Sequence, residues 1–454
     1  MIENIKIVYL LGIGGIGMSA LARYFNHLGC EVFGYDKTET ELTKQLINEG
    51  IKINYTDDIE CLPNNIKAKI HPEKILIIYT PAIPKNHNQF CYLQNNNFAI
   101  YKRAQILGLI TKSSKSITVA GTHGKTTTST LIAHIIKSGK GSVNAFLGGI
   151  SANYNTNLLL GNENDFTVIE ADEYDRSFLH LYPHISVITS MDPDHLDIYG
   201  NSDEMIKTYN QFANQVEDSG KLIVKNNLPV SNSKKISYGF ESNADFYGTN
   251  IRIENGNYYF DIQTKTHTIK NLHSGLPGRH NVENAIAAYA SAHFAGLTDE
   301  EIKNGLATYS GVKRRFEYII KTENLIFIDD YAHHPEELKA CIASAKEMYP
   351  NKKITGIFQP HLFTRTRDFA DGFANALDML DDCILLEIYP ARELPIEGIN
   401  SNLLLQKMKI ANKRILNKKD VDTYLEVNKP ELLLTLGAGD IDRLVVTIKN
   451  KLLN

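Results

Sequence analysis

The chain has 454 residues, enough for about three domains of ordinary size. Hydrophobic residues make up 43% and charged residues 22%, which excludes a disordered chain; a net charge of -4 with no long basic run excludes a nucleic-acid or membrane-surface binder and leaves basic residues to meet small anionic substrates. The five cysteines (Cys30, Cys61, Cys91, Cys341, Cys383) are odd in number and never form a C-x-x-C pair, arguing against disulfides or a zinc site and for a reducing cytosol.

The first third alternates short apolar runs with helical patterns. Strands are expected at 6–11, 31–35 and 75–79 and a helix at 18–28, which predicts a parallel sheet with flanking helices. The apolar stretch 5–22 could pass for a signal peptide, but its glycine spacing and Lys6, Ser19 and Arg23 fit a strand, turn and helix better. No other run is long and apolar enough to span a bilayer. Between that strand and helix lies Gly12-Ile13-Gly14-Gly15-Ile16-Gly17, with Asp36 19 residues beyond Gly17. This is the G-x-G-x-x-G fingerprint of a dinucleotide site. Taken alone it fits a nicotinamide dehydrogenase, a tight turn with close helix packing, or a loop holding the diphosphate of another nucleotide. The polar segment 112–116 reads as a linker and closes a first domain at 1–112.

The middle third opens with Ile117-Thr118-Val119-Ala120-Gly121-Thr122-His123-Gly124-Lys125-Thr126-Thr127-Thr128. An apolar strand enters a glycine turn, and Gly-Lys-Thr leads into an apolar-periodic helix. This is the order of a phosphate cradle: amides at the helix start face the anion, Lys125 adds positive charge and Thr126 a hydroxyl for Mg²⁺. The strict P-loop pattern fails, because Val119 stands where its first glycine belongs; the competing reading is an ordinary strand–turn–helix corner. Strands at 166–170, 185–190 and 221–224 and a helix at 203–216 follow. Two acidic runs sit after successive strands. Glu170-Ala171-Asp172-Glu173-Tyr174-Asp175 and Asp192-Pro193-Asp194-His195-Leu196-Asp197 offer hard oxygen donors and one imidazole, as a nucleotide-bound Mg²⁺ requires, although each run alone also reads as a solvated loop. Alternation over 250–270 around Asn255-Gly256 signals a hairpin, expected as an antiparallel insertion on the main sheet. Helices at 281–295 and 299–307 follow, the first opening with His280-Asn281-Val282-Glu283-Asn284, where Asn281 could simply be a cap. A break near Ser310-Gly311 ends a domain at 113–311.

The last third, 312–454, repeats the α/β rhythm with strands at 325–328, 354–358, 383–388 and 432–436. Arg315, in the run Lys313-Arg314-Arg315-Phe316-Glu317, lies at the second linker, where an arginine is either solvated or able to swing onto a phosphoryl group. Asp329-Asp330-Tyr331-Ala332-His333-His334-Pro335 and Gln359-Pro360-His361-Leu362-Phe363-Thr364-Arg365-Thr366-Arg367 each follow a strand. Arg365 and Arg367 could clamp a carboxylate or phosphate, or make structural ion pairs.

Taken in order, these clusters resemble the Mur ligases, and the resemblance covers essentially the whole chain. GTHGKTTT, EADEYD, DPDHLD, HNVENA, RRFE and DDYAHHP match the shared ligase core, while GIGGIGMS, QPHLFTRTR and GAGDI resemble the alanine-adding members. The resemblance implies an α/β chain of three domains: an N-terminal Rossmann-like domain for a UDP-sugar, a central P-loop-type ATPase domain with a parallel sheet, and a C-terminal Rossmann-like domain for the amino acid. It implies a cytoplasmic enzyme of peptidoglycan precursor synthesis, hence of cell-wall biogenesis, cell shape and division, monomeric or homodimeric, using ATP and Mg²⁺ to join L-alanine to UDP-N-acetylmuramate. On that resemblance Gly12, Gly14, Gly15, Gly17 and Asp36 would hold the uridine diphosphate rather than NAD. Gly121, Thr122, His123, Gly124, Lys125, Thr126 and Thr127 would hold the ATP phosphates, with Asn284 at adenine, Arg315 at the phosphates and Asp330 on the ribose side. Thr126, Glu170 and His195 would be metal ligands, with Lys125, Glu170, His195, Arg315 and His334 catalytic. His334, His361, Arg365 and Arg367 would orient alanine and the intermediate. Several related ligases carry a carbamylated lysine; the surroundings of Lys207 do not match that motif, and it receives no such role.

Overall fold

The computed structural model describes all residues except 1–3, 163, 194–195, 255–256, 392 and 454. The expected hairpin turn Asn255-Gly256 and the expected ligand His195 therefore lie outside the described residues. By contacts the chain forms two compact units, Met1–Tyr247 with Ile262–Ile269 and Asn284–Leu306, and Gly248–Asp261 with Lys270–Glu283 and Ala307–Asn454.

The N-terminal sheet has five parallel strands in the order Lys52–Asn54, Glu31–Tyr35, Ile7–Leu11, Ile75–Tyr79, Ile100–Lys102. Every residue of Ile7–Leu11 is buried, as a strand covered on both faces must be, which is why it reads as an unbroken apolar run. The strand order reverses direction beside Ile7–Leu11, so the crevice at its carboxyl end, where the glycine loop begins, is the ligand position of a doubly wound sheet. Helix Ile16–His27 starts two residues earlier than its apolar pattern suggests, inside the glycine run itself.

The second sheet has ten strands. Its body is parallel, in the order Lys221–Lys225, Ile185–Ile188, Ser116–Ala120, Thr167–Glu170, Asn144–Phe146. Leu158–Leu159 pairs antiparallel at one edge, and Lys235–Gly239, Phe246–Glu254, Asn257–Thr264 and Thr268–Ser274 extend the other. The expected insertion at 250–270 is thus part of a three-strand continuation of the main sheet. Strand Ser116–Ala120 lies central and fully buried, and delivers the phosphate loop to the carboxyl edge.

The third sheet lies in the second unit. Its order is Glu317–Lys321, Ile326–Asp330, Leu432–Leu436, Ile354–Phe358, Asp382–Leu385, Lys413–Ile415, with only the first strand antiparallel. The last strand in sequence is inserted between two earlier ones, so this order differs from that of the N-terminal sheet. The strand expected at 383–388 is shorter, because the chain leaves the sheet after Leu385. Leu338, Phe358, Phe373, Leu385 and Leu434 fill one face and Phe327, Ile357, Leu433 and Ile448 the other.

Candidate active site

The phosphate loop turns sharply from strand Ser116–Ala120 into helix Lys125–Lys140. Gly124 is the N-cap with φ 80° and supplies no side-chain cap, so the first-turn amides are left for a ligand. A Cβ at Gly124 would come within 2.8 Å of Asn284 Oδ1, which sets Asn284 directly against the loop. The loop is braced from strand Ile185–Ile188 and the residues after it. His123 N donates to Ser190 Oγ at 2.7 Å, Thr189 Oγ1 donates to Ala120 O at 3.1 Å, and Thr122 Oγ1 donates to Asp192 O at 2.8 Å. Thr126 and Thr127 are buried in the first helical turn.

Lys125 Nζ donates to Gly121 O at 2.7 Å and lies 2.8 Å from Glu173 Oε2. Burial pulls the lysine pKa down, but Glu173, Glu170 and Asp172 outweigh it and hold the ammonium above its ordinary value. Burial pushes the Glu173 carboxyl up, against the pull of Lys125. Glu173 is the residue that sequence reasoning missed. Four carboxylates in one run look alike in the sequence; only the fold shows which one faces the lysine.

Protein cations answer three of those four carboxylates. Asp172 takes Arg103 at 3.2 Å, Glu173 takes Lys125, and Asp175 takes Lys102 at 2.5 Å. The fourth, Glu170, ends strand Thr167–Glu170 beside the phosphate-loop strand, with Val119 as its register partner. Its carboxylate is pressed over Gly148, where any Cβ would collide with it, and its Oε2 is buried without a hydrogen-bond partner among the described residues. An unanswered carboxylate oxygen next to a phosphate loop fits a divalent cation shared with phosphate. Among the described residues no three His, Cys, Asp or Glu side chains form a metal cage, so phosphate oxygens and water would have to complete such a site.

At the N-terminal glycine loop, Gly14 N donates to Asp36 Oδ2 at 2.8 Å and Thr38 N donates to Asp36 Oδ1 at 3.3 Å. The acid of the fingerprint is therefore engaged in shaping the loop. Gly12 packs on Thr80, Gly15 is the N-cap of helix Ile16–His27, and Gly17 is covered by the Arg103 guanidinium.

In the second unit, Asp330 ends its strand and accepts from Phe316 N and Ala332 N, both at 2.7 Å. Burial pushes its carboxyl up to about 6. Arg315 lies over the Tyr331 ring at 5.2 Å and 3.8 Å from Glu337. His333 donates its backbone N–H to Glu337 Oε2 at 3.0 Å, and burial, opposed by Glu337, lowers its imidazole to about 4. His334 caps helix Pro335–Met348, its Nδ1 accepting from Glu336 N at 3.4 Å. His361 stacks on Tyr389, lies 5.9 Å from the His333 ring and 3.5 Å from Arg365 Nη1. The structure thus brings Arg315, Asp330, Tyr331 and Glu337 together, and His333, His361 and Arg365. It does not make a clamp of Arg365 and Arg367. Two residues apart on helix Phe363–Asp368 they point to different faces, and Arg367 is half exposed and paired with Asp368.

Comparison with known proteins covers the same ground. Residues 7–115 match the domain described as "Mur ligase family, catalytic domain", 119–292 the Mur ligase middle domain, and 314–439 the Mur ligase glutamate ligase domain. The UDP-N-acetylmuramate–L-alanine ligase of Christiangramia forsetii is 50% identical over 453 residues, 100% of this chain and 99% of its own length. That of Flavobacterium psychrophilum is 49% identical over 451 residues, 99% of both chains. Among solved structures, the UDP-N-acetylmuramate-alanine ligase MurC of Thermotoga maritima superimposes with a TM-score of 0.84 at 26% identity, covering 98% of each chain.

Proposed function

The chain belongs to the Mur ligase family, and from that premise we infer that it joins L-alanine to the lactyl carboxylate of UDP-N-acetylmuramate, with ATP going to ADP and phosphate, in peptidoglycan precursor synthesis. The observation that carries the reading is the loop 121–127, where a part-buried lysine sits among glycine-turn amides beside an unanswered carboxylate oxygen of Glu170.

The chemistry explains why such a site is needed. A carboxylate is a poor acyl donor because its leaving group would be oxide. Its attack on the γ-phosphorus of ATP gives an acyl phosphate with a good leaving group, and the amine of alanine then displaces phosphate through a tetrahedral intermediate. Both steps gather negative charge, so the site has to be cationic and shielded from water. Lys125 and the amides of the first helical turn bind and orient the triphosphate. Gly121, Gly124, Thr122, His123 and Thr127 shape that cradle, and Asn284, held against it, reads the nucleotide. Thr126 and Glu170, with His195, would hold Mg²⁺, which supplies charge neutralisation at the phosphates when bound. By the family resemblance Arg315 would take the phosphates and Asp330 the ribose side, and His334, His361 and Arg365 would orient the amino acid and the intermediate. Arg367, half exposed, is the weakest of that group. Gly12, Gly14, Gly15, Gly17 and Asp36 form the loop for the uridine diphosphate.

The domain limits 1–112, 113–311 and 312–454 belong to the same proposal, as do a cytoplasmic location and a monomeric or homodimeric state. Among the described residues no helix is long and apolar enough to cross a membrane. The test is phosphate release from ATP with UDP-N-acetylmuramate, Mg²⁺ and each amino acid added separately. Release that requires both the sugar nucleotide and alanine is expected; release that is independent of alanine, or absent with all four components, overturns the reading.

A further inference from the structure

Arg103 stands between two loops that the proposed reaction uses for different substrates. It opens helix Arg103–Lys112, directly after strand Ile100–Lys102 of the N-terminal sheet. On one side its guanidinium fills the space where a side chain on Gly17 would stand: a Cβ there would collide with Nη1 and lie 2.9 Å from Cζ. Gly17 is the second residue of helix Ile16–His27 and the last glycine of the fingerprint loop. On the other side Nη2 donates to Asp172 Oδ2 at 3.2 Å. Asp172 in turn accepts from Tyr174 N at 3.0 Å through Oδ1, and its sequence neighbour Glu173 pairs with Lys125 of the phosphate loop. Lys102 makes the parallel contact with Asp175. Asp175 and Arg176 hold left-handed φ values of 54° and 53°, so the acidic run is bent where the N-terminal domain grips it.

An arginine placed over the last glycine of a diphosphate loop is in position to take a phosphate oxygen. A guanidinium has five N–H donors in a fixed fork, and phosphate competes well with a single carboxylate contact of 3.2 Å that is part exposed. We propose that Arg103 is a substrate-binding residue for the diphosphate of the sugar nucleotide and that, in turning to it, Arg103 loosens Asp172 and so couples occupancy of the glycine loop to the phosphate loop. This rests on the assignment of the glycine loop to the uridine diphosphate. Loosening Asp172 restores negative charge beside Lys125 and Glu170, which favours a cation arriving with the nucleotide. By linkage the effect is reciprocal.

The experiment is titration calorimetry on the full-length protein with UDP as probe, without and with saturating Mg-ADP, for the wild type, Arg103→Met and Asp172→Asn. In the wild type, Mg-ADP tightens UDP binding about five-fold. Arg103→Met weakens UDP about ten-fold or more and brings the Mg-ADP effect to unity. Asp172→Asn, which frees the guanidinium beforehand, tightens UDP and also removes the Mg-ADP effect; a merely structural contact would weaken UDP in both variants. If the wild type binds UDP and Arg103→Met binds it within two-fold, with the Mg-ADP effect retained, the proposal falls and the loop assignment stands. If Asp172→Asn weakens UDP, the proposal also falls. If the wild type ignores UDP, the loop assignment falls and takes the proposal with it.

Discussion

Lys125 Nζ lies 2.8 Å from Glu173 Oε2, with the two side chains 15% and 3% exposed. A triphosphate entering the loop has to compete with this internal counter-ion for the same ammonium. The pair also stabilises the fold, since removing one partner leaves the other charge enclosed and unanswered.

That gives a prediction with two readouts. Lys125→Met abolishes phosphate release and lowers stability by about 3–5 kcal/mol, the usual cost of stranding a buried charge. The double variant Lys125→Met/Glu173→Gln recovers most of the stability and none of the activity. Denaturant midpoints and phosphate release on the same preparations check it. A single variant as stable as the wild type would show that the pair is not enclosed as described.

Glu170 behaves in the opposite way. Its Oε2 has no partner to lose among the described residues, so Glu170→Gln leaves the melting temperature unchanged or higher. The Mg²⁺ concentration needed for half-maximal activity rises about ten-fold or more, because a charged oxygen donor has become neutral. An unaltered Mg²⁺ titration would take Glu170 out of the metal site.

Gly124→Ala tests the geometry of the cradle. The residue has φ 80°, and an added methyl carbon would come within 2.8 Å of Asn284 Oδ1. The backbone strain alone costs about 1 kcal/mol. Displacing Asn284 adds a loss of nucleotide affinity of about ten-fold or more, read from ADP binding. Equal ADP affinity in the variant would separate Asn284 from the nucleotide site.

His134 gives a pH signature. It is 5% exposed in helix Lys125–Lys140, its Nδ1 lies 2.8 Å from Tyr154 Oη, and burial lowers its pKa to about 4. The folded pKa lies below the ordinary 6.5, so the unfolded chain takes up a proton first. Stability from this residue is intact above pH 6.5 and is lost as the pH falls toward 4, by up to about 2–3 kcal/mol. His134→Gln flattens the fall in denaturant midpoint across that window. A variant with the same slope as the wild type would remove His134 as its source.

Much of the architecture is legible because strands covered on both faces are written as unbroken apolar runs. Glu31–Tyr35, Ile75–Tyr79, Ile354–Phe358 and Leu432–Leu436 fall where the sequence predicts them. Asn144–Phe146 and Leu158–Leu159 are too short to show any period. The early start of helix Ile16–His27 is hidden because Gly15-Ile16-Gly17 reads as turn. At the site, the loop 121–127 is recoverable from residue types and spacing, whereas Asn284 is singled out only by the family resemblance. The division of labour in the acidic run is not recoverable. It depends on the folded path of the run, in which Glu173 faces Lys125 while Asp172 and Asp175 reach Arg103 and Lys102. Likewise Arg365 and Arg367 look equivalent as letters, and only the short helix Phe363–Asp368 separates them.

Asp36 has a further consequence. Both of its oxygens are engaged by the amides of Gly14 and Thr38. Each oxygen keeps a further lone pair, so a ligand hydroxyl could still be accepted, but by a carboxylate whose position the turn has already fixed. What looks in the sequence like a handle for redox coenzymes is therefore also a brace: substituting Asp36 would slacken the turn that leads into helix Ile16–His27 as well as remove a ligand contact.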